Sequence, residues 1–467
     1  MTSRRSCPVI STSPSRTADG TSSPPPTSSI ASGCRPACSR SGRQGFTMQE
    51  GPGLSGGLRP PMPDEVWAIR PGHVLLPGGD VADGYDVLVR GGVIDSVVAR
   101  GDASTRGMQV VEAPGATLLP GLIDSHVHLT FSSDGHVVDN ILRESVAAQL
   151  ARAVGNAQRG LAKGVTTAVD CGGTTEVVLA LRDGIAAGRL QGTGLLVSGA
   201  PLTTTAGHCH WLGGTADSQE DLVRAMRSHV ASGVDVIKVM VTGGNITEGS
   251  NPTRLQFPPE AIEALARECD RLGRPLVTHA HTAEAVELAA SVGARVIAHA
   301  TCTNPDGSIS LEAATIKRVL DAGCYVDPTL MVARPGNGDG SDSSERRLEQ
   351  RRAMLPLFAA MSEAGIPLLA GTDAGVPGVA HGSVAGSIIA LHREVGLSAA
   401  QSLAAATTTA AEAFRLDDRV GSIRAGLWAD LLLVDGDVGK EIEAVNRPLA
   451  VWKGGELVAR GGLLTFG

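Results

Sequence analysis

Between residues 122 and 374 the chain repeats one pattern eight times: a short apolar run bounded by Gly or Pro, then a stretch with apolar residues at helical spacing. The runs cover 122–129, 165–171, 194–200, 234–242, 275–281, 295–300, 324–330 and 367–374, and the stretches between them include 220–232, 259–272 and 283–292. Many of these stretches close on glycine: Gly164, Gly188, Gly233, Gly273, Gly293, Gly323 and Gly365. Glycine suits the left-handed position just past a helix end. Strands alternating with helices imply an α/β fold with a parallel sheet. A doubly wound sheet and a (β/α)8 TIM barrel both meet that description, and eight strands is the number at which the barrel closes. Hydrophobic residues make up 42% of the chain but aromatic ones only 3%, so Val, Leu, Ile and Ala must build the core.

The repeat does not fill the chain. Three β-like stretches, 66–76, 86–98 and 110–119, precede it, separated by Gly- and Pro-containing turns. Two more, 428–435 and 450–458, follow it. Joined, they predict a small β-sandwich domain formed from N- and C-terminal segments. The expected division is a disordered tail at 1–63, the sandwich's first part at 64–119, the barrel at 120–420 and the sandwich's second part at 421–467. The tail reading rests on composition: 35 of the first 60 residues are Ser, Thr, Pro or Gly, too few apolar groups to offset the entropy of ordering. Met48 and Met62 are alternative starts. Arg4-Arg5 has the look of an export signal, but no apolar segment follows it.

Charge and cysteine content narrow the function classes. A net charge of -8 excludes a basic nucleic-acid binder. No apolar run reaches the ~18 residues that span a bilayer. The eight cysteines form no CxxC pair and no dense framework, which points to a reducing, cytoplasmic setting. The expected partner is a small-molecule substrate, with neither nucleic acid nor membrane; a homo-oligomer is left open.

Histidines then locate the chemistry. Three His-x-His pairs occur, His126/His128, His208/His210 and His279/His281, where 12 histidines scattered over 467 positions give roughly 0.3. In a strand, positions i and i+2 share a side. His126 and His128 at the end of the first run therefore put two imidazoles on one face, a metal-ligand geometry. Asp124 shares their parity and is read as support for the ligands or the backbone. Lys238 sits inside the apolar part of the fourth run, as the only charged residue of 236–242, where a buried ammonium is costly. A neutral amine, a Schiff base and a carboxylated side chain that ligates metals are all open readings. His279 and His299 end the fifth and sixth runs, and Asp373 ends the eighth. Barrel active sites are assembled from such strand ends.

The order HxH, Lys, His, His, Asp resembles the metal-dependent amidohydrolase superfamily. The matching text is Pro-Gly-Leu-Ile-Asp-Ser-His-Val-His-Leu, Ile-Lys-Val-Met-Val-Thr-Gly-Gly, Val-Thr-His-Ala-His, Ile-Ala-His-Ala, Asp-Pro-Thr-Leu and Leu-Leu-Ala-Gly-Thr-Asp-Ala-Gly, with Gly-Ser-Ile-Arg-Ala-Gly-Leu-Trp-Ala-Asp-Leu-Leu-Leu-Val downstream. The subgroup it resembles holds imidazolonepropionase-like enzymes and Xaa-Pro dipeptidases; phenylurea and thiocarbamate hydrolases are similar to it as well.

The resemblance implies two divalent metal ions, zinc by default, with Co, Mn or Fe served equally by His and carboxylate ligands. His126, His128 and Asp373 would hold the buried ion and His279 and His299 the outer one. Lys238, carboxylated by CO2, would bridge them. The implied reaction is hydrolysis of an amide-type C–N bond, in a dipeptide, N-acyl amino acid, urea or carbamate, by a metal-activated hydroxide. Asp373 would be the proton carrier and His208 a hydrogen-bond donor to the substrate carbonyl. His281 and Arg254 are the substrate-binding candidates. Single-metal, deaminase-like relatives place a Glu three residues after the strand-five His; here that position is Thr282, with Glu284 beyond it. A deaminase, an ester or phosphotriester hydrolase and a non-catalytic scaffold are the other readings. His136 and His210 are read as solvated loop residues, and His73, His229 and His392 as surface. Residues 336–352 read as a loop able to act as a lid.

Overall fold

The computed structural model describes residues 66–332 and 342–465. The expected tail at 1–63 lies outside the described residues, as do residues 336–341 of the expected loop; residues 342–352 are not loop but the start of the helix Asp342–Glu363.

The strands, in chain order, are β1 (Val66–Leu75), β2 (Val81–Asp83), β3 (Tyr85–Arg90), β4 (Val93–Ala99), β5 (Gln109–Pro120), β6 (Leu122–Val127), β7 (Val165–Asp170), β8 (Gly194–Val197), β9 (Ile237–Met240), β10 (Leu276–Ala280), β11 (Val296–His299), β12 (Tyr325–Asp327), β13 (Leu431–Asp435), β14 (Pro448–Lys453), β15 (Glu456–Arg460) and β16 (Leu463–Leu464). The first five and the last four form one nine-stranded sheet in the order β16-β15-β14-β13-β5-β1-β3-β4, with β2 on β1. β5 and β13 pair antiparallel, so the first and last strands of the described residues share one sheet. Trp67 and Trp452 meet in its core with ring centroids 5.8 Å apart. A single residue, Gly121, separates β5 from β6. A Cβ there would stand 2.2 Å from Thr166 Oγ1, so only glycine lets the chain pass that close from one sheet into the next.

Strands β6 to β12 are parallel, and their architecture is TIM-barrel-like α/β. Pairing runs β6-β7-β8 and β9-β10-β11-β12. Parallel bridges extend it from Leu202 to Val239, from Val326 to Leu368 and from Ala374 back to Val127. Each of the eight runs contributes a residue to one apolar cluster: Ile123, Val169, Leu196, Val236, Val277, Val296, Tyr325 and Leu369. Ala410, Ala411, Ala413 and Phe414 join the same cluster.

Helices follow the strands as the spacing predicts. Helix Gln219–Ser232 starts on a cap in which Ser218 Oγ accepts the Asp221 N–H at 3.1 Å, buries Leu222 and Met226, and stops at Gly233 with φ 96°. The seven glycines read as helix ends all have φ between 65° and 96°.

The eighth strand is another expectation that fails. Residues 367–374 form no regular strand and keep only isolated bridges at Leu368 and Ala374. The reason lies in where the backbone donors go. Ala370 N–H binds Ala405 O, Thr372 N–H binds the Asp124 carboxylate, and Asp373, at φ 60°, donates to His126 O. Long-range acceptors have replaced a sheet ladder at the point where Asp373 is presented.

Candidate metal centre

The C-terminal ends of the parallel strands converge on a cavity of about 500 Å3, whose walls include His126, His128, His208, Lys238, His279, His281, His299 and Asp373. Alternation accounts for part of this. Val236 and Val277, in the apolar cluster, each stand two residues before Lys238 and His279, so the same strand faces carry both. β6 needs more: its pairing to β7 shifts between Asp124 and Val127, next to His126 and His128.

His128 Nδ1 faces the Gly172 carbonyl oxygen at 2.8 Å, so the ring proton sits there and Nε2 is left with a lone pair. That Nε2 stands 3.0 Å from Asp373 Oδ1, and His126 Nε2 stands 3.6 Å from the same oxygen. Two acceptors at such a distance repel unless a second proton or a metal cation lies between them. His126 Nδ1 and Asp373 Oδ1 are buried without a hydrogen-bond partner among the described residues, an arrangement that calls for an ion.

A second group lies beside the first. One ligand atom each of His279, His281 and His299 lies within 4.8 Å of the others. The ring of His279 lies 4.5 Å from that of His299, and His126 lies 5.3 Å from His299. One nitrogen of each is already engaged. His279 Nε2 meets Gly243 O at 3.0 Å, His281 Nδ1 meets Thr301 Oγ1 at 3.0 Å, and His299 Nδ1 meets Thr329 Oγ1 at 2.9 Å. The second nitrogen of each ring is left for a ligand, and the first partner fixes the ring's orientation. Lys238 sits against the first group, fully buried, with Nζ 3.5 Å from His126 Nε2.

Burial sets the protonation states. It drives the pKa of His126, His279 and His299 well below the usual histidine value, which leaves neutral imidazoles with lone pairs to give. It lowers that of Lys238 as well. For Asp373, burial pushes upward, but the neighbouring His128, His299 and Lys238, whenever they carry their protons, outweigh it and hold the carboxyl down at about 2. The backbone is strained at two of these positions, His299 at φ 68° and Asp373 at φ 60°. Such conformations cost about 1–3 kcal/mol each and cluster at functional sites.

Asp124 lies outside both groups. Its carboxylate accepts the Thr372 and His126 N–H groups at 3.1 and 3.3 Å and the Thr372 hydroxyl at 2.7 Å, and so ties β6 to the segment that carries Asp373. His208 lies on the loop after β8, its ring 4.8 Å from that of His279. Burial pushes it down to about 3, and its Nδ1 has no hydrogen-bond partner among the described residues.

Arg254 is not brought into this site. Leu255 pairs back with Thr242, and Arg254 beside it is exposed and forms no part of the cavity wall. His281 joins the second ligand group. His136 is exposed, and His210 is half-buried with Nδ1 on Gly207 O at 2.9 Å. His73, His229 and His392, expected at the surface, are half-buried, each with Nδ1 on an oxygen acceptor. Thr282 caps the helix Ala283–Ser291 by accepting the Ala285 N–H, and Glu284 is exposed. Sequence reasoning missed Asn245 and Gln350 in the cavity wall, and the buried His381. It also passed over Asp170 and Asp327, whose carboxylates hold the loops after β6 and β12. A buried Asp at each strand's C-terminal end was the signal for the last two.

Residues 117–458 match the amidohydrolase family. The chain is 26% identical over 383 residues to ochratoxinase from Aspergillus niger, covering 75% of this chain and 77% of that protein. It is 27% identical over 427 residues to imidazolonepropionase from Anaeromyxobacter sp. (strain K), covering 82% and 91%. Its fold is similar to the crystal structure of a Xaa-Pro dipeptidase with bound methionine, with a TM-score of 0.76, 24% identity and coverage of 84% of this chain and 99% of that one.

Proposed function

The chain belongs to the amidohydrolase family, in the group of imidazolonepropionase and Xaa-Pro dipeptidase relatives, as a hydrolase of C–N bonds, and we propose that it cleaves an amide-type bond of a small molecule at a two-metal centre. The observation that carries the reading is the pair of acceptors, His128 Nε2 and Asp373 Oδ1, 3.0 Å apart beside a second group of three histidines. His126, His128 and Asp373 would hold one divalent ion and His279 and His299 the other, with His281 within reach of the second. Zinc is the default, and the same donors serve Co, Mn or Fe. Lys238 is read as a carbamate: its neutral amine adds to CO2, an N–C bond forms, one proton leaves, and two oxygens replace one ammonium. When bound, the ions polarise the scissile carbonyl and bring the pKa of a water near 7.

The chain's own groups do the rest. Asp373 takes the water's proton and delivers it to the leaving nitrogen. His208, neutral at physiological pH, donates a hydrogen bond to the carbonyl oxygen as negative charge grows there. Phe131, Val137, Ile246 and Val376 wall the cavity with apolar surface, which favours a poorly hydrated acyl or aryl group on the substrate. With Arg254 exposed, the argument for a substrate carboxylate loses its residue. Thr282 as a helix cap and exposed Glu284 leave the deaminase reading without its carboxylate.

Two finer points of architecture belong to the same reading. The bridges that return to β6 and the cluster drawn from all eight runs support a closed (β/α)8 barrel at 120–420. The nine-stranded sheet and its own apolar core support a β-sandwich built from 64–119 and 421–467. Five free, buried cysteines among the described residues are in keeping with a cytoplasmic enzyme.

Chelation followed by reconstitution tests the proposal. Metal-stripped protein should lose turnover of N-acyl amino acids, Xaa-Pro dipeptides and phenylureas. Activity should return with two metal equivalents per chain, and only with bicarbonate present. Full turnover in metal-free protein, or saturation at one equivalent, would overturn it.

A further inference from the structure

The loop after β9 folds back on the strand it leaves. Thr242 pairs antiparallel with Leu255, Gly243 N–H reaches Arg254 O at 3.1 Å, and Gln256 N–H reaches Val241 O at 2.8 Å. A Cβ at Gly243 would stand 2.3 Å from Asn251 O, so the return is tight enough to require glycine. It presents two side chains to the neighbouring loop that carries His208. Gln256 Oε1 accepts the His208 N–H at 2.6 Å, while its Nε2 donates to Met240 O at 2.9 Å and Thr203 Oγ1 at 3.0 Å. Thr247 Oγ1 accepts the Cys209 N–H at 2.8 Å and the Trp211 indole N–H at 3.2 Å. Cys209 is held at φ 58°, a conformation a non-glycine residue keeps only when its surroundings impose it.

We propose that Gln256 and Thr247 are positioning residues that hold the backbone on both sides of the His208 ring, so that the imidazole reaches the substrate carbonyl. This rests on the hydrogen-bonding role given to His208. The two side chains come from the loop of the strand that carries Lys238, and Gln256 bonds directly to Met240 on it. One amide side chain therefore ties the backbone of the donor residue to the Lys238 strand, beyond the backbone pairing at Leu202, and substrate contact is not needed to hold it.

The test is a double-mutant cycle in the full-length holoenzyme. Gln256→Met keeps the length of the side chain and removes its hydrogen bonds. It should lower kcat by on the order of 10- to 10²-fold, the effect of an ångström-scale misplacement, with KM and metal content unchanged. In a His208→Ala background the same substitution should change kcat less than about twofold, an epistasis that a general loss of structure does not produce. Thr247→Val is the second arm, with the same expected pattern, should Gln256→Met fold poorly. Gln256→Glu keeps the acceptor for the His208 N–H and should recover part of the loss. Wild-type kcat in both Gln256→Met and Thr247→Val, or losses that multiply in full with His208→Ala, would overturn the proposal. Wild-type turnover in His208→Ala would instead remove the role of His208, and this inference with it.

Discussion

Lys238→Met should make the metal-free protein more stable and the holoenzyme inactive. Lys238 is 1% exposed in a run of apolar residues, and its neighbour at hydrogen-bond range among the described residues is a ring nitrogen 3.5 Å away. A buried polar group so poorly satisfied costs about 1–3 kcal/mol. Methionine fills nearly the same volume, so the substitution leaves no cavity and its own packing cost stays below about 1.5 kcal/mol. The expected result, in protein freed of metal and CO2, is a gain of about 1–2 kcal/mol by denaturant titration. The pH dependence has a definite sign. Burial depresses the folded pKa of Lys238 below its unfolded value of about 10.4, so between those limits the unfolded chain binds the extra proton and stability rises with pH. Lys238→Met should remove that rise. With metal added, wild type should gain stability by mass action and the variant should not. A loss of more than about 1 kcal/mol in metal-free Lys238→Met would refute the argument, because Lys238 would then be a structural residue. Normal metal binding by the variant would refute its place in the metal centre.

Other outcomes follow from the same geometry. Asp373→Asn keeps the side chain's shape and removes the proposed proton carrier, so turnover should fall by about 10²–10⁴, and a near-normal rate would exclude that role. An alanine Cβ at Gly244 would stand 2.5 Å from His208 Nε2. Gly244→Ala should therefore displace the ring and cut kcat by up to about 10²-fold while metal content, read by elemental analysis, stays at the wild-type value. Glu268 lies between Arg271 and Arg227, which hold its carboxyl down to about 2. Its folded pKa is below the unfolded value, so its stabilisation is present above pH ~4.3 and is lost as pH falls through about 2. Glu268→Gln should melt below wild type at pH 7, with the gap closing near pH 2; a gap that is constant with pH would remove the ionic explanation.

Much of the molecule is legible in the order of residues because local physics writes it there. The period of apolar residues marks which face of a strand or helix is buried, and glycine after a helix reports a left-handed backbone. The candidate ligand set is legible in part for the same reason: His126, His128, His279 and His299 sit at or next to strand C-termini, and the fold gathers them with Lys238 and Asp373 around one cavity. Periodicity says nothing of which distant backbone a donor will find. Thr372 reaches Asp124 across 248 positions, and that bond, with Asp373 N–H on His126 O, leaves the eighth run without a regular strand. Arg254 looked like a substrate residue by its place after the fourth run, but the return of Leu255 onto Thr242 leaves it exposed. Gln256 carries no motif at all; it matters because a loop folds back and delivers its amide to the backbone of His208, 48 positions away. What the sequence determined alone was the set of chemical groups and the faces they occupy. Tertiary structure decided which acceptor each polar group would meet, since that depends on loop paths that no local repeat encodes.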